Sequence, residues 1–131
     1  MNIVIMGCNE IAVNVAEKMA NQQNKISIID IHEQNFLIIQ ETENIKTIIG
    51  DGTVSGDLEL VDISLCDIFI ALEPNDNRNI LAAQKVKSLY RVPMILCLIS
   101  DSKKDGIYRK LGFNVISSTS LISDIVLDSI K

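Results

Sequence analysis

The opening of the chain, from Met1 to Asp30, constrains the fold more than any other stretch. Met1 to Met6 is an apolar run, Met-Asn-Ile-Val-Ile-Met, that stops at Gly7 and gives way to Cys8, Asn9 and Glu10. From there the apolar residues fall at Ile11, Ala12, Val15, Ala16, Met19 and Ala20, while Asn14, Glu17, Lys18 and Asn21 take the opposite side. That spacing is a helix packed along one face. A second run, Lys25 to Ile29, lies between the polar turn Asn21 to Asn24 and Asp30. Two such runs around one helix are most simply neighbouring parallel strands joined by a right-handed crossover. The helix starts near Asn9, so its free N–H groups and its dipole meet the carboxyl edge of the sheet, where they favour a phosphate.

These residues can be set against the dinucleotide fingerprint G-x-G-x-x-G/A. In it the first Gly makes the turn, the second admits the pyrophosphate, the third packs helix on strand, and a later acid holds the ribose. Gly7, Ala12 and Asp30 match the first, third and acidic places, and Asn9 stands at the second. Asn9 adds a side chain where the phosphate should approach bare backbone, although Asn tolerates positive φ and the turn survives. The fold signal is therefore stronger than the ligand signal. The candidate phosphate-facing stretch is Gly7, Cys8, Asn9, Glu10 and Ile11, with Asp30 facing the ribose and opposing the 2′-phosphate of NADP.

Further along, Glu33 to Thr42 carries Phe36, Leu37, Ile38 and Ile39 and reads as a short helix, followed by a strand over Ile45 to Ile49. Gly50, Asp51, Gly52 and Thr53 then form a turn, with Thr53 or Ser55 capping a helix that includes Leu58, Leu60, Val61 and Ile63. A fourth strand, Asp67 to Leu72, ends at Glu73 and Pro74, and a long helix from about Asp76 to Ser88 takes Asp76 as its N-cap. Met94 to Ile99 is an unbroken apolar run suited to a sheet centre. After the polar loop Ser100 to Asp105 come a short helix, Ile107 to Leu111, closed by Gly112, a brief strand, Asn114 to Ile116, and an amphipathic helix, Ser120 to Lys131. Strand and helix alternate without a linker, which predicts an α/β fold. It is a Rossmann-like, doubly wound parallel sheet of about six strands with helices on both faces, forming one domain over residues 1–131.

Composition narrows the function. The chain is 47% hydrophobic but only 4% aromatic, so its core is aliphatic, as buried parallel strands require. A net charge of −5 leaves no basic face for nucleic acid. No apolar run approaches the roughly 18 residues of a membrane span, and Met1 leads straight into a strand without a signal-like segment, so a cytoplasmic protein is expected. Cys8, Cys66 and Cys97 are widely spaced and odd in number, which suggests neither a disulfide framework nor a metal site. Cys8 sits where a helix N-terminus would stabilise a thiolate, but a packed thiol is the expected role. His32, the one histidine, reads as a surface loop residue because no nucleophile stands beside it.

Several motifs in order resemble the N-terminal nucleotide-binding domain of regulators of potassium conductance, the family of the Trk and Ktr potassium-uptake regulatory proteins. They are Ile3-Val4-Ile5-Met6-Gly7 running to Ile28-Ile29-Asp30, then Gly50-Asp51-Gly52-Thr53, then Asp76-Asn77-Arg78-Asn79-Ile80-Leu81-Ala82-Ala83. The spacing of Leu111-Gly112-Phe113-Asn114-Val115-Ile116 also fits that family's last strand. The resemblance implies a sensor of NAD(H), ATP or ADP rather than an enzyme. It would sit beneath a membrane potassium channel or transporter subunit and signal through a homo-oligomer, a dimer or a higher ring. It implies Gly7 and Ala12 at the phosphates, Asp30 at the ribose, Asp51, Gly52 and Thr53 near the adenine, and Arg78 and Asn79 near the same cleft. Glu10 departs from the family, which often has an Arg there.

Glu10, Asp30, Asp51, Glu73 and Asp76 all follow predicted strands, so they should share one rim with Arg78 as the main cation nearby. Like charges at that rim oppose a pyrophosphate, so weak binding, binding with magnesium, or a ligand with few phosphates is expected. Ordinary capping and turn chemistry is the competing account of the same acids. Two other function classes stand beside the sensor: the cofactor half of an NAD-dependent oxidoreductase, and a dimerisation scaffold whose cleft no longer binds. The terminal helix, with Leu121 to Ile130 apolar on one side, is a candidate partner surface.

Overall fold

Buried parallel strands need apolar side chains on both faces, and the six apolar runs form one parallel sheet in the order β3-β2-β1-β4-β5-β6. The strands are β1 (Asn2–Met6), β2 (Lys25–Asp30), β3 (Ile45–Ile49), β4 (Ile68–Ala71), β5 (Met94–Ile99) and β6 (Asn114–Ser117). The computed structural model describes residues 1–131, apart from the side chains at positions 102 and 105. β1 pairs with β2 from Asn2 opposite Lys25 to Met6 opposite Ile29, and with β4 from Ile3 opposite Ile68 to Met6 opposite Ala71. The order of strands reverses between β1 and β4, and that reversal opens a crevice at the carboxyl edge.

Alternation along the strands builds two cores. Ile3, Ile5, Ile26, Ile28, Ile70 and Leu72 pack on one face beneath Ala12 and Ala16 of helix α1 (Glu10–Ala20). Both alanines are fully buried, and their small size lets the helix lie close to the sheet. Val4, Met6, Ile29 and Phe69 pack on the other face. They lie against Leu58 of α2 (Ser55–Glu59) and against Ile80, Ala83 and Val86 of α3 (Asp76–Ser88). The remaining helices are α4 (Asp105–Arg109) and α5 (Ser118–Ile130). Among the described residues no helix is long and apolar enough to cross a membrane.

Four local expectations are corrected. The segment after β2 is not an α-helix but a 3-10 turn, Glu33–Ile38, followed by extended chain. Phe36 and Ile39 pack on the first core while Leu37 is 87% exposed, because adjacent apolar residues cannot share one helical face. α2 stops at Glu59, where Asp62 turns left-handed at φ 51° and a 3-10 turn, Ile63–Leu65, brings Ile63 back into the core. Val54 precedes α2 without a side-chain cap, because the Thr53 hydroxyl donates to Asp51 instead and Ser55 already lies in the helix. Asn75, not Asp76, caps α3 by accepting the Arg78 N–H at 3.0 Å. Asp76 instead accepts the N–H groups of Ser100 and Asp101 at 2.9 and 3.0 Å, tying α3 to the end of β5.

Candidate functional site

The turn after β1 carries the first half of the candidate site. Gly7 sits at φ +100°, and a Cβ there would lie 3.0 Å from both Cγ and the backbone nitrogen of Glu73. Only glycine meets both conditions. Asn9 is extended, at φ −146°, so its tolerance of positive φ is not what the turn uses. It is the N-cap of α1: its Oδ1 accepts the Ala12 N–H at 3.0 Å, and its Nδ2 donates to the Leu72 carbonyl at 2.8 Å. The side chain predicted to obstruct the phosphate thus braces the helix start against the end of β4. The N–H groups of Asn9, Glu10 and Ile11 have no partner among the described residues and remain available to a ligand.

Asp30 closes the other side of this turn. It is 8% exposed, and its carboxylate accepts the N–H groups of Cys8 and His32, each at 2.8 Å. Asn35 Nδ2 donates to both carboxylate oxygens at 3.1 Å. The acid therefore ties the glycine turn, the β2 end and the 3-10 turn together. A cleft of about 390 Å³ opens here between Gly7, Cys8, Asn9, Asp30 and Asn35. Its far wall is Leu72, Pro74 and Leu98, from beyond the switch in strand order. Asn35 escaped the sequence reading. It stands at the end of the polar run His32-Glu33-Gln34-Asn35, where nothing in the sequence sets it apart from Gln34. Cys8 is buried, and burial followed by the nearby Asp30 charge raises its thiol, so the helix dipole does not make it a thiolate.

Asp51, Gly52, Thr53, Arg78 and Asn79 form a second group on the opposite face of the sheet. A Cβ at Gly52 would collide with the Met6 thioether, so the turn approaches the sheet closely. Asp51 Oδ1 accepts the Thr53 N–H at 2.9 Å, the Thr53 hydroxyl at 2.6 Å and Arg78 Nη2 at 2.8 Å. Burial alone would raise the Asp51 carboxyl, but the bonds from Arg78 and Thr53 outweigh it and hold it at about 2. Lys85 caps the same turn by donating to the Thr53 carbonyl. Arg78 Nε reaches the two Glu73 carboxylate oxygens at 3.1 and 3.2 Å. The bond to Asp51 raises the guanidinium most, against the opposing effect of burial and with Glu73 adding to it.

Asn79 is fully buried, and its amide accepts the Glu73 N–H at 3.0 Å and donates to the carbonyls of Glu73 and Leu98 at 2.8 and 3.0 Å. It locks β4, β5 and α3 together beneath the cleft and has no free donor on its amide for a ligand. The two groups meet at Glu73, which lies against Gly7. The rim of like charges is thus largely resolved within the chain. Arg78 pairs Asp51 and Glu73, backbone N–H groups satisfy Asp30 and Asp76, and Glu10 is exposed without an ion pair among the described residues.

A second hollow of about 350 Å³ lies at the amino edge, among Asn2, Lys25, Asn44 and Asp62. There Lys25 Nζ already donates to Asn44 at 2.7 Å. In open parallel sheets ligands lie at the carboxyl edge near the switch in strand order, which favours the first cleft.

The chain is 25% identical over 127 residues to the Trk system potassium uptake protein TrkA of Streptomyces coelicolor, an alignment covering 97% of this chain and 57% of that protein. It is 32% identical over 111 residues to a TrkA homolog of Pyrococcus abyssi, covering 85% of this chain and 49% of the relative. The chain thus spans about half the length of these curated relatives. Its fold matches the TrkA-N domain of the inner membrane protein ybaL from Escherichia coli with a TM-score of 0.86 at 11% identity, over 99% of this chain and 96% of that one. The Kef C-terminal domain of Shewanella denitrificans in its AMP-bound form matches with a TM-score of 0.82 at 14% identity, over 99% and 80%. The GsuK channel bound to NAD matches at 0.75 and 20%, over 88% and 21%. The TrkA-N domain model matches residues 3–119, from β1 and its glycine turn to the first residues of α5. Because that match takes in the whole sheet and both groups of residues around its carboxyl edge, this chain belongs to the TrkA-N domain family.

Proposed function

We propose that the chain is the nucleotide-sensing unit of a regulatory protein in a potassium uptake system. It would bind an adenine nucleotide, NAD(H), ATP or ADP, and control transport without catalysing a reaction. The observation that carries this reading is the cleft at the switch in strand order. There a glycine turn is held by Asp30, and the N–H groups of Asn9, Glu10 and Ile11, without a partner among the described residues, offer an anion a place beside the wall of Leu72, Pro74 and Leu98. The relatives among Trk potassium uptake proteins support the transport context, and the NAD-bound and AMP-bound neighbours support the ligand class. Residues 1–131 act in this reading as one binding domain at the cytoplasmic face of a membrane partner, paired with further copies through α5.

Thermal unfolding against NAD, NADH, ATP, ADP and AMP, each with and without magnesium, tests the reading. A ligand at a hundred times its Kd adds about 2.7 kcal/mol, which raises the midpoint by several degrees. The expected result is a shift with at least one adenine nucleotide that is reduced in Asp30→Asn. Unmoved midpoints with all five ligands would favour a scaffold that acts through its contacts alone.

A further inference from the structure

An ionised carboxylate offers roughly four lone-pair directions to hydrogen-bond donors. At Asp30 four contacts already use them. The Cys8 N–H takes one on Oδ2 and the His32 N–H one on Oδ1, each at 2.8 Å. The remaining one on each oxygen goes to a single group, the Asn35 side-chain amide, whose Nδ2 spans both oxygens at 3.1 Å. The acid that this fold turns toward a ribose therefore has no acceptor to spare in the free chain. The two backbone donors belong to the glycine turn and to the chain just after β2, so they cannot leave without undoing both. The amide can leave by rotation of one side chain. We propose that Asn35 fills the ribose position on Asp30 in the free chain and turns aside for the 2′,3′-diol of a bound ribonucleotide, so that it sets how strongly the cleft reads those hydroxyls. The proposal rests on the nucleotide-binding reading above.

The surroundings keep the exchange local. Asn35 and Asp30 both line the cleft, so the space the amide gives up joins the space the ligand enters. Asn35 is half-buried, and its backbone N–H donates to the His32 carbonyl at 3.0 Å, which holds the 3-10 turn while the side chain moves. Its Oδ1 has no partner among the described residues, so nothing ties the amide from its other end. A ribose diol brings two O–H donors where one NH2 group brought two N–H donors, and the count of bonds to Asp30 is kept. The hydroxyls thus gain little in the wild type, because they replace bonds already made. A ligand without them leaves Asn35 where it is, and no carboxylate oxygen is stranded beneath it. Without Asn35 the same ligand would bury an unpaired acceptor, and a site built that way rejects an analogue lacking the hydroxyls.

Calorimetric titration of the purified chain with ADP and with 2′,3′-dideoxy-ADP tests this in wild type and in Asn35→Ala. The variant should bind ADP about threefold to tenfold tighter, while dideoxy-ADP gains nothing, so the ratio of the two affinities widens. In the wild type, where no folding of a variant is at stake, the Asn35 side-chain NH2 resonances offer a second reading. They should move toward the free-amide position on saturation with ADP and hold their place with dideoxy-ADP. Weaker ADP binding in Asn35→Ala would mean that Asn35 orients Asp30 for the ribose, and would overturn the proposal while leaving the nucleotide reading standing. An equal gain for both ligands would mean only a wider cleft, and an unchanged ratio no part for Asn35; either would overturn it in the same way. Wild-type NH2 resonances that respond alike to both ligands would also count against it. Absence of ADP binding in both proteins would remove the proposal, and the nucleotide reading with it if NAD, ATP and AMP fail as well.

Discussion

Gly7 meets two demands at once, a left-handed φ of +100° and a neighbour, Glu73, whose backbone would touch any Cβ. Gly7→Ala should therefore cost about 2–4 kcal/mol, from backbone strain and a contact that the clamped Glu73 backbone cannot relieve. Chemical denaturation would measure it, and an unchanged midpoint would contradict the account. Asp51 gives a pH prediction. Its folded value of about 2 lies below the ordinary 3.8, so its contribution is present above pH 4 and is lost as pH falls through 2. With the carboxylate 28% exposed, screening leaves on the order of 1–2 kcal/mol. The acid limb of stability against pH should flatten in Asp51→Asn, and an identical limb in both proteins would sink the assignment. The candidate residues were legible individually, but their partners were not. Asp51 and Arg78 are 27 positions apart, and Cys8 and Asp30 are 22 apart, distances over which sequence spacing carries no contact information.

A continuous apolar run made Met94–Ile99 legible to the residue, and the edge strand Ile45–Ile49, with Lys46 and Ile49 exposed, was legible from its isoleucines between Asn44 and Gly50. The helix α1 was legible as well, because Ala12, Val15, Ala16, Met19 and Ala20 keep to one face, although Ile11, expected on that face, is 54% exposed and the Asn9 cap was not foreseen. Short elements were not. The turn Glu33–Ile38 holds consecutive apolar residues with no helical period, and α2 ends at a left-handed Asp62 that no propensity rule foresees. The apolar side of α5 was expected and is found bare: Leu121, Ile122, Ile125, Val126, Leu127 and Ile130 are each more than half exposed. A run of that kind on one helix favours association. Light scattering at high concentration should report an oligomer, and Ile125→Asp should shift it toward monomer without lowering the unfolding midpoint of the dilute protein. A monomeric wild type at high concentration would rule this out.

For the molecule taken whole, the parallel sheet was legible because alternating apolar runs and short connections permit few alternatives. The position of the cleft follows from the strand order, which reverses between β1 and β4 and leaves the β1 turn facing Leu72 and Pro74. The charge at that edge was not legible, since counting acids along the chain misses that Arg78 and backbone N–H groups neutralise most of them. The remaining repulsion is modest. The central claim is that an adenine nucleotide occupies this cleft and not the hollow at the amino edge. Backbone amide NMR of the uniformly labelled chain, titrated with ADP and then NAD, tests it most directly. The account predicts saturable shifts at Cys8, Asn9, Glu10, Ile11 and Asp30, with Asn2, Lys25 and Asn44 unmoved. Shifts confined to the amino-edge residues, or none with either nucleotide, would contradict it.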